Sequence, residues 1–316
     1  MLAYIIRRLL LLIPVLLMVG VIVFTLMHLT PGDPASVMLG RDATEEQKEA
    51  LRERLGLNEP VPVQFVNWFG GVLRLDFGDS LFMGKPVIEA LLDRAEPTVL
   101  LALYSITLAI VIAIPAGVIA AVRANSLLDR LLMVISISGV AIPSFFFGIL
   151  LILLFAVVLG WLPSGGYVDI GDDPIEHFKY MLLPTLTLGF SAAGLLARLV
   201  RSTMLDVLNE DYVRTAYSKG LARRRVVVAH AFRNALIPVL TIIGVTVAGL
   251  LGGAVVIENV FNIPGMGRLL VQSVVRRDIP LVQGAVMTVA AIEVLVMLVV
   301  DLLYVYVDPR IRYGTD

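Results

Sequence analysis

NEDYVRTAYSKGLARRRVVVAHAFRNALIP, residues 209–238, is a charged stretch set between two long apolar runs, and the architecture of the chain can be worked out from it. Its first half has the marks of a short surface helix. Asn209, Glu210 and Asp211 bring a capping oxygen and negative charge to the start, Lys219 sits in the last turn, and Gly220 can take the left-handed stop conformation. Tyr212, Ala216 and Gly220 fall at i, i+4 and i+8 with Val213 and Tyr217 beside them. One face is therefore apolar and partly small-sided, while Arg214 and Ser218 lie elsewhere. A small capped helix on a membrane surface suits docking into a cleft. After Gly220 come Arg223, Arg224 and Arg225, then a second helical pattern that enters the next apolar run at Pro238.

The rest of the chain explains why this stretch stands out. Hydrophobic residues make up 58% of it and charged residues 16%, with a mean hydropathy of +0.90, far beyond the apolar share of a soluble domain. A polytopic, all-α membrane protein is expected. With a formal net charge of -1 there is no basic footprint for nucleic acid, and the Arg cluster of the loop is better explained by membrane topology. The chain has no cysteine, which excludes disulfides, iron–sulfur clusters and cysteine-ligated zinc. The three histidines, His28, His177 and His230, have no metal-ligand spacing, so no metal site and no cofactor is expected in this chain.

Six spans follow from the apolar runs. The first, 9–29, enters after Arg7 and Arg8; it is too long for a signal peptide and lacks a small-residue cleavage site, so it reads as a retained helix. Residues 31–96 turn polar, with a capping-box spacing at Thr44 and Gln47, and form a small extracytoplasmic subdomain. Trp68 and Phe69 there suit either the membrane interface or the subdomain's core. Residues 97–316 make a permease-like core of five spans: 98–122 with Pro115; 131–159, with Pro143 and Gly148 inside and Trp161 at its far end; 181–199; 236–256; and 281–306. The loop within 205–235 is the most basic in the chain and should be cytoplasmic, as should both termini. The acidic loop 163–179 faces outward, and so by parity does 258–280, despite Arg268, Arg276 and Arg277. Gly244, Gly249, Gly252 and Gly253 stud the fifth span, and tight helix packing or a moving interface would both use them.

Four stretches carry a resemblance. DYVRTAYSKGL with HAFRNALIP resembles the cytoplasmic "EAA" loop of ABC-transporter permeases, and in detail the dipeptide and oligopeptide permease family. VPVQFVNWFGGVLRLDFGDSLFMGKPV, ENVFNIPGMGRLL with RRDIPLVQG, and the DPRIRYG tail extend the likeness along the whole chain. The resemblance implies the type I ABC importer permease fold of six transmembrane helices, a coupling helix at 209–221 seated in a groove of the ATP-hydrolysing subunit, and Glu210, Asp211, Tyr212, Arg214, Thr215, Ala216, Lys219 and Gly220 as its coupling residues. Thr215 and Ala216 fall on the motif's two alanine positions, Gly220 on its glycine, and Ile237 with Pro238 on its closing pair; Arg214 stands where the general motif has glutamate, and the gap from glycine to proline is longer. It also implies the partners: a second homologous permease, two ATP-binding subunits holding ATP and Mg, and an extracytoplasmic binding protein at a bacterial or archaeal inner membrane. The cargo implied is peptides, the alternatives being nickel chelates, glutathione or sugars.

Other classes fit less well. No G-x-x-x-x-G-K-[ST] loop is present, so the chain should not hydrolyse ATP itself. An intramembrane enzyme could use Gly189-Phe190-Ser191, but no span supplies a histidine base, an H-E-x-x-H or paired G-x-G-D aspartates. A secondary transporter would leave the capped loop without a purpose and lacks an inverted repeat. Glu293 and Asp301 in the last span are costly in lipid. They could face the translocation pathway or a proton relay, or pair structurally with Arg198, Arg201 or a partner subunit.

Overall fold

The computed structural model describes residues 2–29, 34–40, 43–54, 56–80 and 82–307, and the fold they form is helical. The DPRIRYG tail lies outside the described residues. The described residues divide into two compact units, one built from 2–97 with 264–294, the other from Thr98–Ile263 with 295–307. Residues 264–294 thus belong with the N-terminal stretch, though they follow the fifth span in sequence.

In the N-terminal unit, α1 (Leu2–Leu29) leads to the short α2 (Pro34–Leu39), α3 (Glu45–Arg54) and α4 (Val61–Val72). The box at the start of α3 closes reciprocally: the Gln47 N–H donates to Thr44 Oγ1 at 3.3 Å and the Thr44 N–H to Gln47 Oε1 at 2.9 Å. Phe24, Phe65, Trp68 and Phe69 form one aromatic cluster, and the Phe69 ring lies where a Cβ on Gly20 of α1 would stand, 2.8 Å away. Trp68 and Phe69 are thus half-buried, packed against α1 within the unit. A two-residue hairpin, β1 (Asp79–Ser80) with β2 (Lys85–Pro86), precedes α5 (Val87–Val122). The last parts are α12 (Met266–Arg276) and the first half of α13 (Ile279–Val307). Asp278, buried between these helices, accepts from Ser80 Oγ at 2.6 Å and the Phe82 N–H at 3.0 Å, and Arg276 stacks over the Phe82 ring at 3.5 Å. That fastening gives the RRDIP motif a structural task.

The second unit is organised on α8 (Pro174–Leu208). Asp173 caps it, accepting from the Ile175 and Glu176 N–H groups, and Pro174 opens its first turn. His177 lies inside this helix, not in a loop as its acidic setting implies. It is fully buried, with Nδ1 against the Val168 carbonyl at 2.7 Å and Nε2 against Tyr104 Oη at 3.2 Å. Around α8 pack the rest of α5, α6 (Leu127–Ala141), α7 (Ser144–Leu151) and α11 (Arg233–Val260). The expected third span breaks at Pro143: Ile142 is extended, as a residue before proline prefers, and the two halves meet at 102°. Past Leu151 the chain continues as a π-helix, Ile152–Val158. Gly148 sits 3.2 Å from Thr187 Cγ2 and 3.0 Å from the Phe261 ring, measured from an added Cβ, so the broken half lies tight on its neighbours.

Close backbone approach occurs mainly elsewhere than the fifth span. Gly249 and Gly252 of α11 are exposed with nothing near them, and only Gly244, against Val300, and Gly253, against Leu188, are confined. On α8 and its neighbours, a Cβ on Gly117 would lie 2.6 Å from the Ala197 carbonyl oxygen and one on Gly139 2.9 Å from that of Phe190, and one on Gly194 would strike the Ser136 carbonyl. Among the described residues four helices are long and apolar enough to cross a membrane, or five if the bent pair is one span, and Leu11–Leu26 of α1 is a shorter apolar helix. The expected six spans are compatible with that set. At 1.5 Å per residue α5 is about 54 Å long, more than a bilayer core of roughly 30 Å needs, and its charged residues Glu89, Asp93, Arg94 and Glu96 all lie in its first turns.

Candidate functional site

The charged stretch folds as two pieces. A short turn at Asn209 and Glu210, held by N–H bonds to the Asp206 and Val207 carbonyls at 3.2 Å each, leads from α8 into α9 (Asp211–Ser218). Glu210 occupies the cap position, but no side chain caps the helix; the expected capping oxygen is not used, and Asn209 instead donates back to the Leu205 carbonyl at 2.9 Å. Negative charge at Asp211 remains in the first turn, where the helix dipole favours it. The far end closes as a Schellman motif: the Leu221 N–H reaches the Ala216 carbonyl at 3.4 Å, the Gly220 N–H reaches that of Tyr217 at 2.9 Å, and Gly220 has φ +77°. Only glycine takes that conformation without strain.

The apolar face turns inward. Val213 and Ala216 are buried with Val226, Leu208 and Leu221 in a small core of their own. Ala216 therefore cannot belong to an outer docking face; a methyl-sized side chain there lets α9 lie close to the start of the next helix. Tyr212 and Tyr217 remain about two-fifths exposed, and Glu210, Asp211, Arg214, Thr215, Lys219 and Gly220 are exposed. Arg214 pairs with Asp211 at 3.7 Å, and Thr215 Oγ1 donates to the Asp211 carbonyl at 2.9 Å. What α9 presents is an aromatic and mixed-charge surface on a rigid, glycine-closed turn.

Two contacts tie this surface to the helices behind it. Asn234 Nδ2, in the first turn of α11, donates to Tyr212 Oη at 2.7 Å. Arg223, in the short α10 (Arg223–Arg225), donates to the carbonyl of Val122 at the end of α5 at 2.7 Å, where a cation meets the negative end of the helix. The basic run is thus structural at Arg223 as well as a charge signal, while Arg224 and Arg225 are exposed. Between α10 and α11 the chain runs as a second π-helix, Val226–Phe232, with His230 exposed on it.

Polar groups elsewhere sort differently from their sequence positions. Glu293 is half-buried in mid-α13, and among the described residues it has no hydrogen bond or ion pair; the Asp301 side chain lies outside the described ones. Arg201 pairs with Asp129, Nε to Oδ1 at 2.6 Å and NH2 to Oδ2 at 2.7 Å, so it is already engaged by a carboxylate of α6. Glu258 is fully buried at the end of α11 and accepts from Thr98 Oγ1 at 2.6 Å, although its position at the head of a loop-like motif gave no sign of burial. Asp129 was legible in principle: Ser126-x-x-Asp129 has capping spacing, and Ser126 Oγ accepts the Asp129 N–H at 3.2 Å. Among the described residues no group of three or more His, Asp or Glu side chains could hold a metal.

Comparison with known proteins bears on the whole chain. Residues 113–313 match the family model described as binding-protein-dependent transport system inner membrane component, and residues 1–102 match that of its N-terminal region. A probable peptide ABC transporter permease of Sinorhizobium fredii is 44% identical over 98% of this chain and 99% of its own length. The glutathione transport system permease protein GsiC of Escherichia coli is 44% identical over 99% of this chain and 100% of its own. The solved methionine ABC transporter MetNI, in an inward-facing conformation, superposes with a TM-score of 0.57 at 19% identity, covering 70% of this chain and 97% of that one. That likeness concerns the fold, which is the permease fold of type I ABC importers.

Proposed function

The chain belongs to the family of binding-protein-dependent transport system inner membrane components, and from that premise we propose that it imports peptides as one of two permease subunits, coupled through α9 to separate ATPase subunits. It is a transport subunit and not itself an enzyme. The observation that carries the coupling reading is the build of α9: a short helix sealed from within by Val213 and Ala216, closed by Gly220, with Tyr212, Arg214, Tyr217 and Lys219 exposed on its outer side. ATP and Mg belong to those partner subunits, and an extracytoplasmic binding protein delivers the cargo. The subdomain 31–96 lies on the outer side, the loop 205–235 and both termini on the cytoplasmic side of the inner membrane.

Peptide cargo is supported by a relative named a peptide permease over its full length. A second reading, glutathione, is favoured by the equally similar glutathione permease. The test is uptake of labelled trialanine and of glutathione by proteoliposomes holding this chain, its companion permease, the ATPase subunits and the binding protein. ATP-dependent uptake of trialanine supports peptides, uptake of glutathione alone supports the second reading, and uptake of neither refutes both.

A further inference from the structure

We infer that the Asp129–Arg201 ion pair is a positioning element of coupling, fastening α6 to α8 so that a displacement of α9 reaches the broken helix beyond Pro143. The inference rests on the reading of α9 as the surface that meets the ATPase. Asp129 is buried and Arg201 mostly so, and the guanidinium holds the carboxylate through two nitrogens in a bidentate fork. The same carboxylate accepts the Asn125 N–H at 2.8 Å, in a turn where Asn125 takes φ +63°, so the acid is locked to the start of α6 on its own side. Arg201 lies about two helical turns before the end of α8 at Leu208, and α9 begins at Asp211.

The mechanical argument needs a second point of contact, and the structure has one. Gly139 meets the backbone of Phe190, and Gly194 that of Ser136, so α6 and α8 touch backbone to backbone at one crossing. The ion pair adds a polar fastening at the other end of α6, so that the two helices, packed side by side along α6, move as one piece. On one side that piece continues into α9, through the turn at 209–210 and the core of Leu208, Val213 and Ala216. On the other it ends at the 102° break and α7, whose Gly148 rests on Thr187 of α8. Net stability is a poor explanation for the pair, because a buried ion pair is often no better than an apolar one of the same volume. Rigidity between two helices is what the bidentate geometry supplies.

The test uses the complete transporter in proteoliposomes, with trialanine and glutathione as cargo probes. Asp129→Asn combined with Arg201→Gln removes both charges without leaving either unpaired, and Arg201→Lys keeps the charge but loses the fork. The expected result is ATP hydrolysis within about twofold of the parent, with cargo molecules imported per ATP falling about tenfold in the double variant and less in Arg201→Lys, within the range of coupling between distant sites. A third variant makes the reading decisive. The chain has no cysteine, so Asp129→Cys with Arg201→Cys can be bridged by a short bifunctional thiol-reactive reagent, a bis-methanethiosulfonate whose two sulfinate groups leave as the cysteine thiolates attack, and bridging should restore the ratio. An unchanged ratio in the double variant, a fall in hydrolysis and uptake by the same factor, or no recovery on bridging overturns the inference. If the parent assembly imports neither probe, the functional reading fails instead, a separate outcome.

Discussion

At the scale of single residues, Gly220 and Ala216 act on α9 from opposite sides. An added Cβ at Gly220 meets nothing within 4 Å, so the cost of Gly220→Val lies wholly in φ +77°, about 1 kcal/mol or more for a β-branched residue. The Schellman closure would open, and α9 would lose its fixed pose without any clash. Ala216→Arg acts from within, prising α9 off Val226 at about 1–3 kcal/mol from overpacking alone. Both variants should insert in the membrane normally, lose the ATPase subunit on co-purification and abolish peptide uptake in cells. Tyr217→Ala is the cleaner probe of the outer surface, because Tyr217 is two-fifths exposed; it should leave the fold intact and still weaken retention of the ATPase by about 2 kcal/mol if it is an anchor. Arg224→Ala, exposed and away from α9, should be mild, while Arg223→Ala loses the bond to Val122 and should be worse. Normal transport by Gly220→Val with a dead Arg224→Ala would move the docking surface to the basic run.

At the scale of elements, what was legible in the sequence depended on whether the signal was local. The glycine stop of α9 and the Thr44–Gln47 box are set by near neighbours, and each formed where its residues implied; Pro143 inside the third span left a tilted or a broken helix open, and the structure shows the break. The inward turn of Ala216 was not legible, since a helical face says which residues lie together and not which partner covers them. The two π-helices left no compositional trace. Glycine split: the run on α11 left close packing or a moving interface open, and there only Gly244 and Gly253 are confined, whereas on α6 and α8 single glycines face a carbonyl across the crossing. That contrast is testable. Gly194→Val would drive its side chain into the Ser136 carbonyl and should destabilise the purified chain by about 1–3 kcal/mol, seen as a lower melting temperature in detergent. Gly252→Val, on an open face, should leave that temperature unchanged. Equal melting of the two variants would mean that α6 and α8 do not meet as closely as described.

For the whole molecule, division of labour and orientation are the properties left to establish. The chain has no phosphate-cradling glycine loop, so the purified subunit should show no ATPase activity above a mock preparation, and activity should appear only on assembly with the nucleotide-binding subunits. Orientation follows from charge. The loop carrying Arg214, Lys219, Arg223, Arg224, Arg225 and Arg233 is the most basic in the chain, and the positive-inside bias predicts a cytoplasmic position for it. The loop before α8 carries Asp169, Asp172 and Asp173 and no basic residue, and one passage of α8 through the membrane separates the two. Opposite sides are therefore required of them whatever the total number of spans. Because the chain has no cysteine, single probes at Ser164, Asp172 and Ser218 carry no background from it, and all three positions are exposed. An impermeant maleimide applied to intact cells, or to spheroplasts where an outer membrane blocks access, should label Ser164→Cys and Asp172→Cys and miss Ser218→Cys until the membrane is opened. Labelling of Ser218→Cys from outside, with the other two protected, would invert the topology and take α9 out of reach of any cytoplasmic ATPase.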